Sequence, residues 1–270
     1  MNASKSASPI GVFDSGIGGL SVIKALTERL PHEDYIYLGD TARLPYGTKT
    51  KATITRFSLQ DAEFLLNKGV KMIVVACNSA SAMALTALQE SLRVPTIGVI
   101  EPGAQAAVAA SATGVIGVIG TEATINSKCY HREILRLRQD AEVVAKPCPL
   151  FVPLVEEGWL DDPVTHQVAE RYLSSIKGSG VDVLILGCTH YPLLAPLIGD
   201  VMGPKTAIVD SASSVASAVS QRLNDLCLAN DSASPGACEF YVTDLPAKVN
   251  RIGKMFLGID DLKIELAQLE

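Results

Sequence analysis

Cys77 and Cys188 are the residues whose type and setting point to chemistry. Each closes an apolar run, Val74-Val75-Ala76-Cys77-Asn78-Ser79 in one case and Leu184-Ile185-Leu186-Gly187-Cys188-Thr189 in the other. Runs this short and apolar suit strands of a parallel sheet covered on both faces, and ligand sites in such sheets lie at the strands' carboxyl ends. After Cys77, Asn78-Ser79-Ala80-Ser81 leads into a helix expected over 82–92. After Cys188, Thr189-His190-Tyr191-Pro192 leads into one expected over 193–201, with Pro192 in the first turn, where its missing N–H is harmless. A helix N-terminus favours a thiolate and can hold a carboxylate, so both thiols are expected to be reactive. A lone strand-end cysteine is more often a small buried hydrophobe, but a matched pair fits that plain reading poorly.

Other polar residues gather at the same strand ends. Asp14-Ser15-Gly16-Ile17-Gly18-Gly19 follows the first apolar run. It lacks both the full G-x-G-x-x-G spacing and the lysine of a phosphate-binding loop, so by itself it reads equally well as a tight strand-to-helix turn. His190, two residues after Cys188, could polarise a proton beside that thiol or bond to backbone as a cap; its placement favours the first role. Pro45-Tyr46-Gly47, Thr121 and Thr124 stand in later strand-end loops and could offer hydroxyls and N–H groups to carboxylates, or serve as ordinary turn and cap residues. A metal site is not expected, because His32, His131 and His166 add no ligand cluster to Cys188 and His190.

Positioning these groups requires a sheet. Strands are expected over 10–13, 35–38, 72–76, 96–100, 115–119, 142–145, 181–186 and 207–209, separated by amphipathic stretches such as 20–30, 52–67 and 164–177. This alternation predicts an α/β protein of parallel sheets. The order of signals recurs about a hundred residues on, Gly11-Val12-Phe13-Asp14-Ser15 answered by Gly117-Val118-Ile119-Gly120-Thr121. Two pseudo-symmetric α/β domains follow, residues 1–100 with 211–270 and residues 101–210. The last sixty residues carry a helix, a strand candidate at 240–242 and a closing helix, while 231–236 reads as a surface loop without chemistry.

Composition narrows the function. The chain has 270 residues, 48% hydrophobic and 19% charged, with a net charge of -6 and no basic run, so nucleic acid and anionic membranes are not expected partners. No apolar stretch is long enough to span a bilayer, and the polar start does not read as a secretory signal. Six cysteines without a C-x-x-C pair read as free thiols in a cytoplasmic protein.

With Asp14-Ser15-Gly16-Ile17-Gly18-Gly19-Leu20-Ser21, Pro45-Tyr46-Gly47, Ala76-Cys77-Asn78-Ser79-Ala80-Ser81 and Gly187-Cys188-Thr189-His190-Tyr191-Pro192-Leu193, the chain resembles the glutamate racemases. The likeness runs in order from about residue 10 to 209, with one departure, Ser79 where the family usually has threonine. It implies an active site between the two α/β domains and cofactor-independent interconversion of L- and D-glutamate by a homodimer, supplying D-glutamate for peptidoglycan. It implies further that Cys77 takes the proton from D-glutamate with help from Asp14, and Cys188 from L-glutamate with help from His190 and Glu156. Glu156 is adjacent to Glu157, which could be confused with it. Asp14, Ser15, Pro45, Tyr46, Gly47, Asn78, Ser79, Thr121, Thr124, Thr189 and His190 would bind substrate.

The two-cysteine logic also fits a racemase of aspartate or another amino acid. A Cys-His thiol hydrolase would use one cysteine, and a binding module neither.

Overall fold

The computed structural model describes residues 6–244 and 246–269. Two sheets, parallel throughout, form its frame. The larger contains β1 (Ile10–Asp14), β2 (Tyr35–Gly39), β3 (Met72–Val75), β4 (Thr96–Gly98), β9 (Cys238–Val242) and β10 (Ile264–Leu266), in the spatial order β10-β9-β2-β1-β3-β4. The smaller contains β5 (Val115–Gly120), β6 (Glu142–Pro147), β7 (Val183–Gly187) and β8 (Ala207–Asp210), in the order β6-β5-β7-β8. The order β2-β1-β3-β4 thus recurs as β6-β5-β7-β8, with β1 between β2 and β3 corresponding to β5 between β6 and β7. Strands buried on both faces, such as β1, β2, β3 and β7, explain why their sequences read as continuous apolar runs.

Several boundaries move, each for a local reason. β4 stops at Gly98 because Ile100 already begins the helix Ile100–Ala110. The helix after Cys77 begins at Asn78 rather than 82, since Cys77 is itself the extended cap residue and its sulfur accepts the N–H of Ala80. After Cys188 the chain makes the 3₁₀ turn Tyr191–Leu194 before the α-helix Ala195–Met202, so Cys188 does not cap an α-helix. Two intervening residues, Thr189 and His190, separate the thiol from that turn.

The C-terminal segment returns to the larger sheet. The helix Ser211–Asp225 packs on Leu20–Arg29 and on Ile100–Ala110, and β9 pairs with β2 in the register Tyr35↔Cys238. β10 after the helix Pro246–Leu257 is an element that the sequence pattern did not suggest. A buried ion pair anchors this return: Lys71 Nζ lies 2.5 Å from Glu33 Oε2, and Glu33 Oε1 accepts the N–H of Asn230 at 2.8 Å. The 231–236 loop is therefore tied at its base, and the N–H of Gly236 donates to the Pro31 carbonyl.

Removing one partner of a buried pair strands the other charge. Lys71→Met is expected to destabilise the protein by about 3–5 kcal/mol in urea titration. Combining it with Glu33→Leu should recover most of that loss, and a single variant that loses less than about 1 kcal/mol would remove the pair's assigned role.

Candidate active site

The carboxyl ends of β1, β3, β5 and β7 converge on a cavity of about 330 Å³. Ser15 and Gly16 come from the β1 turn, Leu44, Pro45, Tyr46, Gly47 and Thr48 from the loop after β2, and Cys77, Asn78 and Ser79 from the end of β3. The smaller sheet contributes Thr121 and Glu122 after β5, Glu156 from the helix Phe151–Glu156, and Cys188, Thr189 and His190 after β7. The two thiols, 111 residues apart in sequence as 188 minus 77, thus open on one space from different sheets.

Asp14 and Thr124 do not line the cavity but stand directly behind it, both buried. Asp14 accepts the N–H of Gly16 at 3.0 Å and the hydroxyl of Thr189 at 3.4 Å, so one carboxylate joins the turn after β1 to the loop of Cys188. The close approach has a visible requirement. A Cβ on Gly18 would come within 2.2 Å of Thr189 Oγ1 and 2.5 Å of His190 Nδ1, and one on Gly47 within 2.8 Å of Thr121 Cβ. Gly18 of the Asp14–Gly19 run therefore serves contact between the halves, while Gly19 makes room for Asp14 and Tyr37 within its own half.

A second seam is built of hydroxyls and an amide. Ser79 Oγ stands 2.9 Å from Thr121 Oγ1, which caps the helix Glu122–Asn126 and is 3.1 Å from Thr124 Oγ1. Asn78 accepts the Tyr130 hydroxyl at 2.8 Å and donates to Ser211 at 3.3 Å. Tyr130 was not indicated by the sequence: it lies within the helix Cys129–Leu137, far from any motif, and reaches Asn78 only because the sheets meet.

Electrostatics differ at the two thiols. Burial and then the Asp14 carboxyl push Cys77 up to about 12, against the hydrogen bonds from Ser15 and the Ala80 N–H, which favour the thiolate. The thiolate expected at that helix N-terminus is thus overridden, because burial penalises the charge more than one N–H rewards it. At His190 burial opposes the charged ring, yet the contacts with Cys188 and Glu156 and the field of Asp14 outweigh it and hold the imidazole up at about 10. His190 Nδ1 is 4.0 Å from Cys188 Sγ, and Nε2 is 3.4 Å from Glu156 Oε1, a distance suited to ion pairing though the angle makes no hydrogen bond. Glu156, not the exposed Glu157, is the carboxylate at the cavity.

The Tyr46 side chain corrects one expectation. Its hydroxyl does not face the cavity as a substrate group but is buried against Asp40 and Asp61, at 2.5 and 3.0 Å, while Pro45, Tyr46 and Gly47 line the cavity with other atoms. Among the described residues, no lysine or arginine lines the cavity, so an anionic guest must be held by N–H groups, hydroxyls and His190.

A thiol held near 12 keeps gaining thiolate as pH rises. Alkylation of Cys77 by iodoacetamide in the ligand-free protein, followed by peptide mass spectrometry, should accelerate about tenfold per pH unit from pH 7 to 10. A plateau below pH 9 would contradict the assigned environment.

Comparison with known proteins agrees with this arrangement. The family model described as Asp/Glu/Hydantoin racemase matches residues 10–219. A glutamate racemase from Geobacter metallireducens is 51% identical over 92% of this chain and 92% of its own length. The crystal structure of glutamate racemase isoform RacE1 from Bacillus anthracis superposes with a TM-score of 0.95 at 36% identity, covering 98% of each chain. That of the Francisella tularensis enzyme in complex with D-glutamate gives 0.91 at 40%, over 98% of this chain and 99% of that one. Paired strand-end cysteines in a duplicated α/β frame, and a match from the first strand into the helix Ser211–Asp225, lead to one conclusion: the chain belongs to the Asp/Glu/hydantoin racemase family.

Proposed function

We propose that this protein is a glutamate racemase in which Cys77 and Cys188 are the acid and base at the α-carbon. The observation that carries the reading is that two thiols from two different sheets open on one cavity. Inversion removes a proton from one face of the α-carbon and returns one to the other, which two fixed monoprotic groups accomplish without either moving. In this reading residues 1–100 with 211–270 form one half and residues 101–210 the other, each supplying one thiol.

The ligand-free electrostatics favour one resting arrangement. Cys77, held at about 12, is a thiol at neutral pH, while His190, held at about 10, is a cation beside Cys188. Cys188 takes the proton of L-glutamate and Cys77 delivers one to the opposite face; in reverse, Cys77 takes the proton with help from Asp14 and Cys188 delivers one. Negative charge developing on the α-carboxylate is met by the preorganised donors of the cavity, where they act more strongly than in water. Ser15, Asn78, Ser79, Thr121 and Thr189, with the backbone of Pro45–Gly47, form the substrate contacts, while Thr124 holds Thr121 from behind. Glutamate is preferred over aspartate because the relatives that cover nearly the whole chain at 46–51% identity carry that name. The motif resemblance also supports a cytoplasmic homodimer whose D-glutamate enters peptidoglycan.

Enantiomers have equal free energy in water, so kcat/KM must be the same in both directions for every variant. Cys77→Ala and Cys188→Ala are each expected to lower it at least about 10²–10⁴-fold from both L- and D-glutamate, measured by chiral separation without added cofactor. Near-native turnover in either variant would remove that cysteine from the mechanism. Turnover of L-aspartate but not L-glutamate by the unaltered protein would replace the substrate.

In deuterated water, the first D-glutamate formed from L-glutamate should carry deuterium at the α-carbon, since the donating thiol has exchanged with solvent. The remaining L-glutamate should stay unlabelled at early times. Protium in early D-glutamate, or early label in recovered L-glutamate, would indicate a single base serving both faces.

A further inference from the structure

Behind the loop that walls the cavity lies a polar cluster that the reaction does not use. Asp40 and Asp61 are both buried, and the Tyr46 hydroxyl stands between them. Arg43 donates to Asp40 Oδ2 at 2.6 Å, to Asp61 Oδ1 at 2.8 Å and to Gln60 Oε1 at 2.6 Å. Asp40 Oδ1 also accepts the hydroxyl of Thr243 at 3.0 Å, which ties the cluster to the segment after β9. Tyr46 begins the 3₁₀ turn Tyr46–Thr48, and its carbonyl accepts the N–H of Lys49.

We propose that Asp40, Arg43 and Asp61 are positioning residues for the reaction, clamping the Tyr46 hydroxyl so that the Pro45–Gly47 backbone is held at the cavity wall. This rests on the reading of that cavity as the glutamate site. Hydrogen-bond accounting specifies how the clamp works. A phenol has one proton, and two ionised carboxylates can only accept, so Tyr46 could satisfy one of them and would repel the other. Asp40 already accepts from Arg43, Thr243 and Tyr46, so the single proton of the phenol is spent on it. Asp61 then carries a proton of its own and donates it to the Tyr46 oxygen, completing the chain Asp61 to Tyr46 to Asp40. Burial and the neighbouring Asp40 raise Asp61 well above the usual carboxylate range, in the same sense. The ring of Tyr46 rests on Phe57, with centroids 5.8 Å apart, and Arg43 lies 4.3 Å from that ring's centroid, so the clamp is packed as well as bonded.

A protonated acid can be replaced by its amide, and that gives the test. Kinetics with glutamate and amide hydrogen exchange over residues 44–49 without substrate would be measured for Tyr46→Phe, Asp61→Ala and Asp61→Asn. Tyr46→Phe and Asp61→Ala should raise KM about tenfold while kcat changes by less than about threefold, and should speed exchange in the loop by about tenfold or more. Asp61→Asn should stay near the native values in both readouts, because its NH₂ donates where the acid's proton stood. Asp61→Asn as impaired as Asp61→Ala, or Tyr46→Phe with native KM and exchange, would overturn the proposal. Should Asp61→Ala fail to fold, Tyr46→Phe and Asp61→Asn decide. If the unaltered protein does not act on glutamate, the exchange measurement still judges the clamp by itself.

Discussion

The active site depends on the contact between two sets of strand-end loops around the buried carboxylate of Asp14. Gly16 from the larger sheet and Thr189 from the smaller both donate to it, and His190 lies within its field. That contact is possible only because Gly18 carries no side chain where Thr189 and His190 come closest. Once the halves are packed this tightly, the groups around the space left between them are buried, and burial is the first cause acting on the ionisable ones.

Burial penalises charge on both sides of the cavity, and the neighbours decide the outcome. Around Cys77 the nearest ionisable neighbour is a carboxyl, so burial and neighbour both oppose the thiolate and the group rests protonated. Around Cys188 the nearest is an imidazole that Glu156 and Asp14 help to keep charged. A duplicated frame would by itself give two equivalent thiols. The departures from symmetry, a helix starting directly at Asn78 in one half and a 3₁₀ turn delayed to Tyr191 in the other, make room for His190 and separate the roles proposed for the two groups.

The cavity's lack of cationic side chains among the described residues fits the same constraint. A lysine or arginine would hold a dicarboxylate tightly in the ground state, whereas hydroxyls and N–H groups fixed by the fold are oriented before any guest arrives. Much of the surrounding structure does that fixing. Tyr130 and Ser211 hold Asn78, Thr121 and Thr124 face Ser79, and the Asp40–Arg43–Asp61 cluster holds Tyr46 from behind.

Local sequence determined the features with short-range causes. Apolar runs of strand length, cysteines at their ends and glycines in the turns were readable because each depends on period, burial and turn chemistry within a few residues. The duplication was readable for the same reason, since the signals recur in order, and so were Cys77, Cys188, Asp14 and His190 as a group. The tertiary structure decided what depends on residues distant in sequence. Tyr46 was legible as a loop residue, but that its hydroxyl faces Asp61 rather than the cavity is a matter of how the helix Lys51–Asn67 packs beneath the loop. β10 follows a loop and a helix without a strong strand pattern and exists because β9 offers it an edge. The protonation of Cys77 was the deepest case: helix position argues for a thiolate, and only the burial and the carboxyl brought by folding reverse it, because solvation of a charge depends on everything around it in space and on almost nothing beside it in sequence.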